Sequence, residues 1–405
     1  MLFSSVVAND TTYKVIGLAA PKTPPYNPKL LMAIINATGS IIKYKTLIDT
    51  SNTIDFGVFA NTLIKTPNKT FALAGYTIDS TIKILFAKFN ASLDSFSIYT
   101  YYAPDVYAYF GNTLLNADTS GFFISGVKTI QSTNNANVVL LKIDAEGNKV
   151  WEKSYDQYKQ DYAKSMVLLA NGNILLGCIR SNLNQTNEHA NTWLLEVDTG
   201  GNIVRQWFDP NDSTYVAEGL RQTQDGGFIY GAQKKALQTV GGVYKIATVV
   251  KMDSNFTKQW TFSDGRYNTT TAIVDLEELP DGSFIGCGNK PYYNTDSSIL
   301  SGWIVKLDAN GNVIWNKTYA GLQTSFSHNY LTDIDVLPDG SLIAVGQCQN
   351  TTQQPPQVGW FLKLDSNGCE IENCLVGIDP QTPEGGLNSQ IQVTQTQRVA
   401  VCSWK

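Results

Sequence analysis

Hydrophobic and polar residues alternate in short runs along nearly the whole chain, as in "WIVKLDANGNVIWNKTY" at residues 303–319. Trp303, Val305 and Leu307 fall on one face of an extended segment, and Asp308 ends it before a turn rich in Asn and Gly. A period of two residues is typical of β-strands, and Asn and Gly tolerate the positive φ angles of tight hairpin turns. No long segment has helical periodicity, so the pattern predicts an all-β chain.

The phrase recurs seven times at a nearly constant spacing. A second hairpin pattern, such as "DIDVLPDGSLIAVG" at residues 333–346, precedes each copy. Two hairpins per unit give four antiparallel strands, and a fixed period of this length indicates a propeller or a solenoid. We therefore predict a seven-bladed β-propeller of four-stranded antiparallel blades with a period of about 55 residues. The Asp or Asn that ends the third strand lies at Asn36, Asn90, Asp144, Asp198, Asp253, Asp308 and Asp365, at spacings of 54, 54, 54, 55, 55 and 57 residues.

The repeat also predicts the domain boundaries. Residues 1–378 are expected to form the propeller and residues 379–405 a C-terminal tail. The predicted blades cover approximately residues 2–49, 60–102, 110–156, 162–209, 216–264, 271–320 and 330–376.

Three recurring residues have predicted structural roles. A large aromatic residue on the fourth strand, such as Trp315, is expected to fill the space between blades. A glycine near the end of the second strand, such as Gly346, suits a close approach of neighbouring blades. The lysine before the second turn, such as Lys251, is expected to form an ion pair between blades.

Composition limits the partners and the location. Charged residues make up 16% of the chain, and the net charge is −5. This balance gives no basic surface, so nucleic acid is not an expected partner. No apolar run approaches the roughly 18 residues of a membrane-spanning helix. No signal peptide is visible at the start, yet few charges and abundant Asn and Thr favour an exported, extracellular or cell-surface protein. Association with an outer membrane remains open.

The repeats resemble those of a known group of proteins. The form W-h-h-K-h-D-x-x-G-N-x-x-W, preceded by a D-G-G/S-F-I hairpin, is similar to the β-propeller repeats of secreted, cell-surface proteins of Bacteroidota. The resemblance covers residues 2 to about 378. It implies a β-propeller and export by type IX secretion, and it implies little about activity. In that family the last repeat often reads like "LKLDSNGCEIENC" (362–374) and leads into a sorting domain, which residues 375–405 do not resemble.

The cysteines and the turn residues suggest two further features. Cys369 and Cys374 are predicted to form a disulfide, since an even total of six cysteines fits an oxidising compartment. Asp308, Asn310 and Asn312 space their oxygens as calcium loops do, but no late acidic ligand follows, so calcium is a weak candidate beside an ordinary Asx turn. No cofactor is predicted.

The function is predicted from the longer loops, which are rich in tyrosine and are expected to share one face. Tyrosine offers a large contact area at little entropic cost. We therefore expect a binding or scaffold propeller without catalysis that recognises a protein partner or a surface glycan. The alternatives are a glycan-active enzyme that uses loop carboxylates such as Asp161, Asp209 and Glu218, or a structural subunit of an outer-membrane-associated assembly. The candidate binding residues are Tyr101, Tyr102, Tyr107, Tyr109, Tyr158, Tyr162, Tyr215, Tyr292 and Tyr293.

Overall fold

The computed structural model of the chain is built from β-strands. Within the residues it describes there is no α-helix, and none of its elements is a helix able to cross a membrane. The prediction of an all-β chain is confirmed. The described residues are 2–9, 12–19, 29–47, 55–57, 62–78, 81–116, 120–181, 190–210, 215–235, 245–264, 271–291, 300–321, 327–350, 357–370, 376–378, 391–396 and 399–404.

Over these ranges the strands form five hydrogen-bonded sheets. We divide them into seven groups of consecutive antiparallel strands, named group one to group seven. One parallel pairing, Ala136 with Gln160, joins groups three and four, and another, Leu300 with His328, joins groups six and seven. Group one contains β1 (Leu2–Asn9), β2 (Thr12–Ala19), β3 (Lys29–Asn36) and β4 (Ile41–Leu47). Group two contains β5 (Asp55–Gly57), β6 (Leu63–Lys65), β7 (Phe71–Ile78), β8 (Ile82–Phe89) and β9 (Phe96–Tyr101), and both β5 and β6 pair with β7. Group three contains β10 (Val106–Asn116), β11 (Phe122–Ile130), β12 (Ala136–Ile143) and β13 (Lys149–Tyr155).

The remaining groups continue in the same order. Group four contains β14 (Gln160–Leu168), β15 (Ile174–Ser181), β16 (Ala190–Val197) and β17 (Ile203–Phe208). Group five contains β18 (Tyr215–Gln222), β19 (Phe228–Lys235), β20 (Lys245–Met252) and β21 (Lys258–Asp264). Group six contains β22 (Ala272–Glu278), β23 (Phe284–Pro291), β24 (Leu300–Leu307) and β25 (Val313–Tyr319). Group seven contains β26 (Ser327–Val336), β27 (Leu342–Asn350), β28 (Gln357–Leu364) and β29 (Val376–Ile378). A last hairpin, β30 (Ile391–Thr396) and β31 (Val399–Trp404), places β31 parallel to β29.

The repeated Asp-x-x-Gly-Asn phrase forms the turn between the third and fourth strands. In group three, Asp144 Oδ1 accepts hydrogen bonds from the backbone N–H of Glu146 at 3.0 Å and of Asn148 at 2.7 Å. Gly147 has a φ of +93°, which a residue with a Cβ rarely adopts. The turn is therefore closed by its own Asp side chain.

Several first strands carry a β-bulge at the same place. The pairing shifts between Gly111 and Thr113, and between Leu331 and Asp333. A Cβ added to Gly346 would lie 1.8 Å from the carbonyl oxygen of Tyr330, on the adjacent strand of the same group. The recurring glycine thus makes room for the bulged strand inside one group. The prediction that it allows neighbouring blades to approach is wrong.

The recurring lysine also acts mainly inside one group. Lys251 Nζ lies 2.7 Å from Asp225 Oδ2, and both residues belong to group five. Lys142 Nζ donates to Ser120 Oγ at 2.9 Å within group three. These lysines hold the third strand to the first turn of the same sheet. The prediction of an ion pair between blades is therefore wrong for both.

The hydrophobic core is divided among the interfaces between successive groups. Each of six clusters of buried side chains joins one group to the next in the chain. A seventh cluster joins group one to group seven, where the Tyr13 and Phe361 rings lie 5.4 Å apart. The first strands of neighbouring groups also contact one another, and β1 contacts β26.

Candidate functional site

The predicted tyrosines do not form one exposed surface. Tyr101 is buried, and its hydroxyl donates to the carbonyl oxygen of Gly147 at 2.7 Å. Tyr109 is buried as well. Tyr102 and Tyr107 are exposed, at 67% and 63%. Burial of Tyr101 and Tyr109 follows from their position at interfaces between groups, where each ring adds to the core.

The other predicted tyrosines are scattered. Tyr158 is exposed, and Tyr162 is half-buried and donates to Gln160 Oε1. Tyr215 begins β18. Tyr292 and Tyr293 lie outside the described residues.

No disulfide occurs among the residues that the structure describes. Cys369 is exposed, and its Sγ lies 3.4 Å from Lys317 Nζ. Its predicted partner Cys374 falls outside the described ranges. The described residues therefore give no support to the predicted disulfide between Cys369 and Cys374.

The Asp308 carboxylate, the weak calcium candidate, accepts hydrogen bonds from its own turn. Asp308 Oδ1 accepts from the backbone N–H groups of Asn310 and Asn312, both at 2.8 Å. Asp308 Oδ2 accepts from Asn312 Nδ2 at 2.9 Å. The carboxylate therefore stabilises the turn, and the arrangement is an Asx turn.

The loop carboxylates proposed from sequence each have separate partners. Asp209 is buried, and Lys258 Nζ lies 3.2 Å from its Oδ1. Asp161 is buried and accepts hydrogen bonds from two backbone N–H groups. Glu218 lies half-buried on β18. Four other carboxyl groups lie close together elsewhere, on the first strands of groups six and seven.

At one position of the first strand, identified by the strand register, the type of residue changes along the chain. In groups one to four it holds an aliphatic residue, and in groups five to seven it holds a charged one. A repeat with only a packing role has no need of charge at such a position, so we treat the change as a sign of function. The residues at this position are Val7, Ile64, Leu115, Val167, Arg221, Glu277 and Asp335.

Arg221 joins two of the acidic residues of group six. Arg221 Nη2 lies 2.9 Å from Asp275 Oδ1 and 2.7 Å from Glu277 Oε1. Arg221 Nε also donates to Glu277 Oε1, at 3.0 Å. Asp275 Oδ2 accepts from the backbone N–H of Ile334 in group seven at 3.1 Å. The buried carboxylate of Asp275 thus links three groups.

Asp333 and Asp335 of β26 complete the set. We call Arg221, Asp275, Glu277, Asp333 and Asp335 the charge cluster. Asp333 is buried, and Asp335 is half-buried. The Arg221 and Glu277 side chains stay partly open to solvent, at 27% and 32% exposure. The cluster therefore combines buried carboxyl groups with side chains that a small molecule can reach.

A glycine makes the approach of groups five and six possible. Gly219 has a φ of +57°, and a Cβ there would lie 2.7 Å from Asp275 Cα. Any side chain at this position would push the Asp275 backbone away from Arg221. The position equivalent to Gly219 holds Ser165 in group four and Asp333 in group seven.

The cluster shifts the pKa of its members in opposite directions. Burial lowers the pKa of Arg221, but Glu277 and Asp275 outweigh it and leave that pKa raised. Burial raises the pKa of Glu277, Arg221 opposes this effect, and Asp275 and Asp335 add to it, so the net pKa is raised. A carboxyl group with a raised pKa beside a guanidinium and further carboxyl groups is an arrangement that suits general acid–base chemistry.

The charge cluster was missed by the tyrosine-based prediction. The signal was present in the sequence, because aligning the first hairpin of each repeat places Arg221, Glu277 and Asp335 opposite aliphatic residues. Their convergence depends on the bulges and on contacts between groups. Within the described residues, no group of three or more His, Cys, Asp or Glu is arranged to hold a metal ion.

Comparison with known proteins gives the fold. No protein-family model matches the chain, and no curated protein matches it. The solved structure of puromycin hydrolase is similar with a TM-score of 0.54 at 12% identity, over 97% of this chain and 56% of that chain. Its S511A mutant complexed with PGG gives 0.54 at 11% identity, over 98% and 57%. The β-propeller domain of the Trilobed protease from Pyrococcus furiosus gives 0.48 at 11% identity, over 89% and 92%.

The class of the protein is an all-β fold of antiparallel sheets, and over nearly its whole length this fold is similar to that of puromycin hydrolase. The chain spans little more than half the length of the puromycin hydrolase chains. The prediction of a binding propeller without catalysis is wrong, because the similar structures are those of hydrolytic enzymes.

Proposed function

We propose that the seven groups are the blades of a closed seven-bladed β-propeller, with the first strands around its axis. Seven core clusters support this architecture, since six join successive groups and one joins the first to the last. The contact of β1 with β26 further supports a closed ring of first strands. Residues 1–378 then form the propeller, and residues 379–405 the tail.

We further propose that the charge cluster is the active site of a hydrolase acting on amide bonds. The observation that carries this proposal is the raised pKa of Glu277 beside the carboxylates of Asp275 and Asp335 and the guanidinium of Arg221. Puromycin hydrolase, by its name, hydrolyses its substrate. The structural similarity of this chain to puromycin hydrolase suggests hydrolysis as the class of reaction to test.

In the proposed reaction Asp335 removes a proton from water, and the water oxygen bonds to the substrate carbonyl carbon. Arg221 stabilises the negative charge that develops on the carbonyl oxygen. Protonated Glu277 then donates its proton to the amide nitrogen as the C–N bond breaks. The proton held by Asp335 returns to Glu277 through solvent, and the site is restored. Asp275 orients Arg221, and its second oxygen accepts from the backbone N–H of Ile334.

Four carboxyl groups around one guanidinium favour a substrate with a positive charge. A suitable assay uses the full chain with aminoacyl amides of aminomethylcoumarin, each with a free or an acetylated amine. We expect release of fluorescent aminomethylcoumarin, faster from the free amines. Replacing a general acid typically slows a reaction by about 10²–10⁴-fold, so Glu277→Gln should lose at least about 100-fold.

The matched control is Glu278→Gln. Glu278 is the next residue on β22, and its Oε2 accepts from the backbone N–H of Gln224 at 2.8 Å, outside the cluster. This variant should keep its activity. No release from any amide, or an equal loss in both variants, would sink the proposed activity.

A further inference from the structure

Group four contains a second polar site, at its interface with group three. Asp161 on β14 and Arg180 on β15 are directly paired residues, so their side chains are neighbours on one face of the sheet. Arg180 Cζ lies 4.0 Å from the ring centroid of Phe208 and 4.9 Å from that of Tyr158. The guanidinium is thus held between two aromatic rings. We call Asp161, Arg180 and Trp193, with these two rings, the group-four site.

The hydrogen bonding of this site is incomplete. Asp161 Oδ2 accepts from the backbone N–H groups of Gln157 at 2.6 Å and of Tyr158 at 2.9 Å. Asp161 Oδ1 is buried and accepts no hydrogen bond, and the buried Arg180 Nε and Trp193 Nε1 donate none. A buried polar atom that lacks a hydrogen-bond partner destabilises the fold. The three side chains lie on one face of the sheet, so an occupant that both accepts and donates suits them together.

Group six shows which chemical group satisfies a similar set. Lys290 pairs with the residue two places before Trp303, and Arg180 pairs with the residue two places before Trp193. Lys290 and Trp303 therefore occupy in group six the positions that Arg180 and Trp193 occupy in group four. Asn316 Oδ1 accepts from Trp303 Nε1 at 2.8 Å and from Lys290 Nζ at 2.7 Å. Asn316 Nδ2 donates to Asp264 Oδ2 at 2.8 Å. One carboxamide thus satisfies an indole, a cation and a carboxylate.

The corresponding residue of group four does not enter the site. Asn316 pairs with Val305, and at the same place Gln206 pairs with Leu195. The Gln206 side chain is exposed to solvent. Group four therefore has the cation and the indole at the same positions and lacks the internal carboxamide. Its carboxylate, Asp161, lies on its own first strand, whereas Asp264 lies on β21 of group five and also accepts from Lys290 Nζ at 3.0 Å.

We propose that the group-four site binds the primary carboxamide of an external ligand, namely the side chain of a glutamine or asparagine residue in a peptide. The carboxamide oxygen accepts from Arg180 Nε and Trp193 Nε1, and its nitrogen donates to Asp161 Oδ1. Tyr158, 40% exposed, forms the outer wall, and its ring moves aside as the ligand enters.

The same geometry disfavours other side chains. A carboxylate would meet the carboxylate of Asp161, and an aliphatic group would leave three buried polar atoms unsatisfied. The site shares no residue with the charge cluster, so the proposal does not rest on amide hydrolysis.

The test records the indole N–H resonances of the full chain labelled with ¹⁵N-tryptophan. The probe is N-acetylglutamine methylamide, and the controls are the corresponding glutamate and methionine compounds. Trp193→Phe identifies the resonance of interest. The glutamine probe should shift the Trp193 resonance saturably, and the two controls should leave it in place.

The decisive variant is Gln206→Asn, which gives group four the residue of group six. It should fill the site, abolish the response to the probe and raise the thermal midpoint. Lys290→Gln, which alters the group-six site, should leave the response unchanged. An unmoved Trp193 resonance, equal shifts with all three compounds, or a full response in Gln206→Asn would each overturn the proposal.

Discussion

The hydroxyl of Tyr155 donates a hydrogen bond of 2.8 Å to the carbonyl oxygen of Gly201, in the turn of the next group. Tyr101 and Gly147 make the same bond at 2.7 Å, as do Tyr319 and Gly368. The fourth strand of one group thus holds the second turn of the following group. This contact explains why the repeated phrase contains both a glycine turn and a later tyrosine.

The first prediction concerns this hydrogen bond. Tyr155→Phe removes the hydroxyl and leaves the ring in the core, so the Gly201 carbonyl loses its donor. We expect the free energy of unfolding to fall by about 1 kcal/mol. Urea denaturation followed by tryptophan fluorescence measures the change. Tyr102→Phe, at an exposed position, should have no effect, and equal losses in the two variants would contradict the structural role of Tyr155.

The second prediction concerns the turn glycines. A Cβ added to Gly201 would lie 2.7 Å from Lys153 Cγ and 3.0 Å from the Trp151 ring, whereas one added to Gly172 would meet nothing within 4 Å. Both residues have positive φ, at +76° and +85°, so both alanine variants carry a backbone cost of about 1–2 kcal/mol. Gly201→Ala should be less stable than Gly172→Ala in urea denaturation. Equal stabilities would show that the packing of the turn on group three contributes nothing.

The third prediction concerns the charge cluster. Arg221→Met leaves the fully buried Asp275 carboxylate without its cation, and breaking a buried pair in this way typically costs about 3–5 kcal/mol. Adding Asp275→Asn and Glu277→Gln to Arg221→Met should recover part of this loss, because the uncompensated charges are removed. Lys43→Met breaks an exposed ion pair with Asp94 and should change stability much less than Arg221→Met does. The prediction fails if the triple variant is less stable than Arg221→Met.

The fourth prediction concerns the pH dependence of stability. Burial raises the pKa of Asp161 from 3.8 to about 6, an effect that Asp156 strengthens and Arg180 opposes. Because the folded pKa exceeds the unfolded one, the stability that Asp161 contributes is complete below pH 3.8 and is lost as pH rises through 6. The full shift corresponds to about 3 kcal/mol at most.

Asp161→Asn should remove this part of the pH dependence. The free energy of unfolding, measured in urea between about pH 4 and pH 7, should fall less steeply in the variant than in the natural chain. Parallel curves for the two proteins would mean that Asp161 titrates normally.

The sequence predicted the strand pattern well, because that pattern depends on local chemistry. Alternation over Trp303–Leu307 and the Asp308 turn signal are both short-range features, and the structure has β24 ending at Leu307. The predicted blade boundaries stay predictions, and the structure adds a short strand, β5, that begins at Asp55 and was not expected from the repeat. Export by type IX secretion, the extracellular location and the resemblance to Bacteroidota proteins stay predictions.

The candidate site was harder to predict, because it depends on contacts between groups. Tyr101 lies in a tyrosine-rich stretch of sequence that resembles a binding surface. In the structure its ring packs between groups two and three, and its hydroxyl donates to the Gly147 carbonyl oxygen. Arg221 and Glu277 are 56 residues apart, and only the stacking of groups five and six brings them within 2.7 Å. The burial that raises the pKa of Glu277 is likewise a property of the assembled sheets.

The central claim, that Glu277 acts as the proton donor in amide hydrolysis, is tested most directly by the pH profile of kcat/KM. The natural chain should lose activity as pH rises through an apparent pKa above 4.5, the ordinary value for glutamate. In Glu277→Gln the remaining activity should lack this limb. The same limb, with the same apparent pKa, in Glu277→Gln would contradict the assignment.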